Sequence, residues 1–182
     1  NSRLAKEKIL LDAMNEGLDE FFEGLKMCLD KLYTFGVKQV PTKDEVVAGQ
    51  GCPWKVFKEL AEKLYNRELT GHNARDAINL VMSSATAEQW NGFYRRILIK
   101  DLRCGVSEKT VNSVAKKNKF GKYMVPVFTC QLAHDSANHE KKLVGEKMLE
   151  VKLDGVRTLA IVHPDGKVDM LSRNGKEFTN FG

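Results

Sequence analysis

A chain of 182 residues holds one medium domain, or a small domain joined to part of another. Its 42% hydrophobic and 29% charged residues, with 14 Gly and 4 Pro, exclude a disordered or collagenous chain, and no apolar run approaches the roughly 18 residues of a membrane helix. Lys and Arg total 29 against 24 Asp and Glu, a net charge of +5 that by itself excludes little about partners.

At the N-terminus, Asn1-Ser2-Arg3-Leu4-Ala5-Lys6 lacks the apolar core of a signal peptide, so a protein of the cytoplasm or nucleus, without a membrane partner, is expected. Apolar residues then recur at helical spacing, and Leu18, Phe21, Phe22, Leu25, Leu29 and Leu32 form one core-facing stripe. A second helix is expected near Pro53, at the favoured first position, with Trp54, Phe57, Leu60, Ala61 and Leu64 inward. Asn73 is a candidate cap for a third, with Ala74, Ala77, Ile78 and Val81 inward. Thr86 and Gln89 have the spacing of a capping box, and Trp90, Phe93, Tyr94, Ile97 and Leu98 follow as a stripe. These aromatics read as core, and Arg95, Arg96 and Lys100 as the outer face of the same helix.

Beyond Leu102, Gly105 is expected to end one helix and Ser107 to cap the next, whose Val111, Val114 and Ala115 face inward. Free N–H groups at such a joint can hold a phosphate, with Arg103 and Lys109 beside it; an ordinary capped turn is the competing reading. Charge is uneven along the chain. Residues 1–36 carry five basic and seven acidic side chains, whereas residues 92–122 carry nine basic and two acidic, a block that suits either nucleic-acid binding or a solvated helix face. Cys28, Cys52, Cys104 and Cys130 form no C-x-x-C pair and have no histidine at zinc spacing, so they read as reduced thiols.

From Gly121 to Cys130 the pattern changes to β-type, and Val125-Pro126-Val127-Phe128 marks a boundary between domains at 1–125 and 126–182. The period becomes two between Met148 and Phe181. A strand over Met148 to Leu153, a turn at Asp154-Gly155, a strand from Val156 to His163, a turn at Pro164-Asp165-Gly166 and a strand from Lys167 to Arg173 make an antiparallel meander. Together with a helix over Ala137 to Leu143 they cannot bury both faces of a sheet, so the second domain is expected to be incomplete. Asn1 in place of a starting methionine agrees with a fragment.

Within the meander stands Lys152-Leu153-Asp154-Gly155-Val156-Arg157. Lys152 shares a strand face with Glu150 in a stretch apolar enough for burial, where a lysine can lose its proton and become a nucleophile. A solvated lysine before a D-G turn is the alternative. Arg157, across the turn, could hold a phosphate in its fork.

K-x-D-G-x-R is the adenylation motif of the covalent nucleotidyltransferases, and from about Thr70 onward the chain resembles ATP-dependent DNA ligases of the bacteriophage and eukaryotic kind. Leu102-Arg103-Cys104-Gly105 resembles the L-R-x-G turn of their helical DNA-binding domain, Gln131-Leu132-Ala133-His134 their M-L-A segment, and Leu171-Ser172-Arg173-Asn174-Gly175 their S-R-N motif. The first 70 residues match only in being helical. The resemblance implies an α+β chain: an all-α helical DNA-binding domain, then the first antiparallel strands of an ATP-grasp-like nucleotidyltransferase domain.

It also implies roles. Lys152 would carry AMP taken from ATP and pass it to the 5′-phosphate of a nick, which the 3′-hydroxyl then seals. Glu150 would accept from the adenine amine, the backbone of Leu132 and Ala133 would lie near the base, Arg157 would hold the ribose or nick phosphate and Arg173 the phosphates. Asp154 would position the nick and metal, and Arg103, Gly105, Ser107 and Lys109 would contact DNA. The cofactors implied are ATP and Mg2+, and the partner is nicked duplex DNA bound by a monomer. The family's later motifs, among them its metal carboxylate and OB domain, do not occur here, so this chain is expected to bind DNA without ligating alone. An RNA-capping or RNA-ligase-type enzyme, or a non-catalytic DNA-binding module, are the alternatives.

Overall fold

The computed structural model describes residues 2–45, 49–130, 134–151 and 154–178. The chain divides into two compact units, Asn1–Val127 and Phe128–Gly182. In the first, α1 (Arg3–Asn15) starts where the Ser2 hydroxyl accepts the Ala5 N–H, and it buries Leu10 and Met14. α2 (Asp19–Leu29) carries the expected stripe only in part. Leu18 is its cap and is 46% exposed, and the helix stops at Leu29 because Asp30 turns extended and its carboxylate takes the Leu32 N–H.

α3 (Trp54–Tyr65) buries the predicted Trp54, Phe57, Leu60, Ala61 and Leu64, with Pro53 as the cap and not the first helical residue. α4 (Gly71–Ser84) begins before the expected cap Asn73: Thr70 is the cap, Ala74 N–H already donates to its carbonyl, and Gly71 supplies the φ of +55° that turns the chain in. Ala74, Ile78 and Val81 are buried, as their spacing predicts.

Half of the capping box forms. The Thr86 hydroxyl accepts the Gln89 N–H at 3.1 Å, but the Gln89 side chain bridges the Cys52 backbone, accepting its N–H and donating to its carbonyl at 2.8 Å each. The helical run that follows has three parts: α5 (Ala87–Gln89), a π segment (Trp90–Tyr94) and α6 (Arg95–Leu98). In the π segment Arg95 N–H reaches back to Trp90, and the Asn91 carbonyl accepts Arg96 Nε at 3.2 Å. Trp90, Tyr94, Ile97 and Leu98 are core, as expected.

This run holds the long connection between α2 and α3, whose described residues form no ladder of their own. Trp90 Nε1 donates to the Pro41 carbonyl, Asn91 exchanges two bonds with the Lys43 backbone, and Arg95 Nε donates to the Val40 carbonyl at 2.9 Å. The sequence reading of Arg95, Arg96 and Lys100 as an outer face is thereby corrected. All three are half-buried, and Lys100 donates to the carbonyls of Met27, Asp30 and Tyr33 at the C-terminal end of α2. Free carbonyls at a helix end attract a cation more strongly than water holds a half-buried one out.

α6 ends at Leu98, so Gly105 does not end a helix; residues 99–107 are a connection, with Lys100, Arg103 and Gly105 at positive φ. α7 (Glu108–Lys117) is capped by Ser107 and buries Val111, Val114 and Ala115, as predicted. Two apolar clusters result. One joins the end of α2, the long connection, α3, α4 and the helical run; the other joins α1, α2, α7, Tyr123 and Val125. α2 serves both, and Gly24 lets it approach the run closely: a Cβ there would stand 2.7 Å from Ile97 Cδ1.

The second unit contains one antiparallel ribbon, β1 (Thr158–Val162) and β2 (Val168–Ser172), paired from Thr158 with Ser172 to Val162 with Val168 around the expected Pro164-Asp165-Gly166 turn. The three-strand meander is a correction. Met148 to Val151 form no strand and stand exposed, Leu149 at 98%, because alternation prepares two faces but pairing needs a neighbouring strand and a layer to cover it. The helix expected over Ala137 to Leu143 is two single 3-10 turns, Ser136–Asn138 and Glu140–Lys142. Its apolar residues are too few to pin a longer helix.

Candidate functional site

Lys152, Leu132 and Ala133 lie outside the described residues. Glu150, Asp154 and Arg157 are all exposed, and the segment from Met148 to Val151 is exposed with them, which corrects the expectation of a buried strand around the lysine. Arg157 directly precedes β1 and Arg173 directly follows β2. Since Thr158 pairs with Ser172, the two arginines flank the last cross-strand pair at the open end of the ribbon.

Arg173 sits in a tight turn. Ser172 N–H donates to the Lys176 carbonyl at 2.7 Å, Lys176 N–H donates to the Ser172 hydroxyl at 3.1 Å, and the Gly175 N–H donates to the Ser172 carbonyl. Gly175 has φ +80°, and the Phe128 ring lies so close that a Cβ would come within 2.6 Å of it. The Cys130 thiol donates to the Arg173 carbonyl at 3.6 Å. So the ribbon's open end brings together Arg157, Arg173 and Cys130, residues far apart in the chain.

In the first unit, Arg103, Gly105 and Ser107 of the connection and Lys109 in the first turn of α7 are exposed. The Ser107 hydroxyl accepts only the Thr110 N–H, at 3.4 Å, among the first-turn amides of α7. Lys6 adds a third cation, its Nζ donating to the Gly105 carbonyl at 3.2 Å. Against this, Arg103 pairs with Asp101 at 3.4 Å, and Glu108 opens the helix. The joint can meet a phosphate, with part of its charge already compensated.

A second basic surface was not legible in any linear run. Two adjoining hollows of about 550 and 380 Å3 form a groove between residues 35–41 and the first half of α4, and Lys38, Arg67, Arg75 and Arg95 stand in its walls. No Asp or Glu lines either hollow. These cations lie in four separate segments, so a scan for charge blocks passes over them.

Among the described residues, no three His, Cys, Asp or Glu side chains gather where they could hold a metal ion. No helix among them is long and apolar enough to cross a membrane.

No family model matches the chain, and no curated protein matches it. Solved structures do. One named Pmar-Lig_PreS3 is 63% identical with a TM-score of 0.84, and one named Pmar-Lig_Pre is 62% identical with the same TM-score. Each covers 100% of this chain, which in turn covers 41% of theirs. Both neighbours are ligase-related by name. This chain therefore shares the fold of a ligase-related protein over its whole length and spans about two-fifths of the solved chains it matches.

Proposed function

We propose that this chain is part of an ATP-dependent DNA ligase: a helical unit that grips nicked duplex DNA and the opening of the adenylation domain. The observation that carries the reading is Lys152-Leu153-Asp154-Gly155-Val156-Arg157 in a chain matched from end to end by ligase-named structures at 62% and 63% identity. The neutral Lys152 Nζ attacks the α-phosphorus of ATP, forming a P–N bond as the bond to pyrophosphate breaks. An oxygen of the nick's 5′-phosphate then attacks that phosphorus, and the P–N electron pair returns to the lysine. The 3′-hydroxyl, losing its proton, attacks the 5′-phosphorus and AMP leaves.

Glu150 and the backbone at Leu132 and Ala133 receive the adenine, Arg157 and Arg173 hold phosphate oxygens, and Asp154 orients the nick. Arg103, Gly105, Ser107 and Lys109 meet the duplex backbone, chiefly without sequence preference. Magnesium, when bound, would neutralise charge on the transferring phosphoryl oxygens, and the described residues offer no three-ligand cage for it.

Intact mass before and after incubation with magnesium and ATP tests the chemistry, on this chain and on the longer protein that contains it. The longer protein gains one AMP and loses that gain in Lys152→Ala, while this chain alone gains none. A longer protein that never gains AMP, or keeps the gain in Lys152→Ala, overturns the assignment.

A further inference from the structure

We propose that the groove between residues 35–41 and the first half of α4 is a track for the phosphates of one DNA strand, a second grip in addition to the joint at Arg103 and Lys109. The proposal rests on the DNA ligase reading and adds to it a surface formed largely by the segment whose role the sequence left blank.

Four cations, Lys38, Arg67, Arg75 and Arg95, line the groove, and no carboxylate does. Among the described residues none of them is in an ion pair: Arg67 donates to the neutral Thr34 hydroxyl at 3.1 Å, Arg95 to the neutral Val40 carbonyl, and the side chains of Lys38 and Arg75 make no hydrogen bond. Structural cations of this protein behave otherwise. Lys43 and Lys100 each put their ammonium onto three backbone carbonyls at a helix end. Like charges gathered in a concave wall repel one another unless an anion joins them, so the groove is complementary to a polyanion.

Neutral donors converge on the same place. α4, a 14-residue helix, opens on the groove at Thr70 and Gly71 without a side-chain cap, so its first-turn amides and the positive end of its dipole remain available. The two hollows share Lys38, Gln39, Arg75 and Ile78, which makes one continuous channel and suits successive phosphates of an extended strand. Its geometry is held in advance. Gly36 lies under the Arg67 guanidinium, where a Cβ would come within 1.7 Å of Nη1, and residues 40–43 are tied to the helical run by Trp90, Asn91 and Arg95.

Anisotropy titrations of the full 182-residue chain with a nicked duplex, over a series of salt concentrations, test the proposal. Both Lys38 and Arg75 are solvent-exposed, so Lys38→Glu with Arg75→Glu should leave helical content and melting unchanged. Binding should weaken at least about tenfold, and the log–log salt slope should fall by about 2, one phosphate contact being worth about 0.9. Equal affinity and slope in this variant, with wild type binding and Arg103→Glu with Lys109→Glu impaired, overturn the groove and leave the ligase reading standing. A wild-type chain that binds no duplex at any salt removes DNA gripping and the groove together. Amide resonances of Gly71 and His72 in the wild-type chain supply a readout that needs no variant: they should shift on adding the duplex, and unmoved amides overturn the placement.

Discussion

Lys43 is 5% exposed, and its Nζ donates to the carbonyls of Met82, Ser83 and Ala85, the acceptors that the end of α4 leaves without helical partners. Gly49 completes the pocket, since a Cβ there would stand 2.0 Å from the Ala85 oxygen. Lys43→Met keeps the length of the side chain and removes every donor, so it should cost about 3 kcal/mol, the range for charged hydrogen bonds lost to buried acceptors. Urea denaturation measures this, and a loss below about 0.5 kcal/mol would remove Lys43 as the cap. Titration at the residue scale has a definite sign. Burial pushes the Cys28 thiol from 9.0 up to about 11 and the Tyr33 and Tyr94 hydroxyls from 10.0 up to about 12, and it raises Cys52 as well. Above pH 9 the unfolded chain releases these protons before the native one, so stability is full below that pH and falls as it rises toward about 12. Lys100 runs the other way, because burial lowers its pKa, but the raised acids outnumber it. Thermal melts between pH 8 and 11 should show melting temperature falling throughout the upper half of that range; a flat profile contradicts the burial of these groups.

At the scale of elements, caps and amphipathic stripes acted locally and were legible: Ser107 caps α7 and the α3 stripe is buried as its spacing requires. Elements whose existence depends on a neighbour were not. Met148 to Leu153 alternates as a strand should, yet its described part, 148–151, has no hydrogen-bonded partner among the described residues, and the ribbon that does form has three of the five β1 residues exposed. Two strands with little apolar cover are marginal in water. Hydrogen exchange should therefore find the Thr158–Val162 amides at least about a hundredfold faster than those of Leu60–Leu64 in α3, whose side chains are buried. Comparable protection would mean that the ribbon is covered in solution.

For the molecule as a whole, the division after Val127 has an energetic basis, because every residue of both apolar clusters lies in the first unit. Fully buried Trp90, Phe57, Leu64 and Ile97 each contribute roughly 1.5–3 kcal/mol there. A fragment ending at Val127 should thus melt cooperatively within about 5 °C of the full chain by circular dichroism. Loss of cooperativity would show that the second unit supports the first. Sequence by itself determined the helical character of this unit, most of its inward residues, the Ser107 cap and the K-x-D-G-x-R motif, since periodicity, capping and motif spacing are properties of neighbours along the chain. Tertiary structure decided which cations are consumed by the fold and which are left free. Lys100, Lys38 and Arg75 look alike in a charge count, and only the carbonyls and walls brought beside them from distant segments separate a lysine that caps a helix end from cations that line an uncompensated groove.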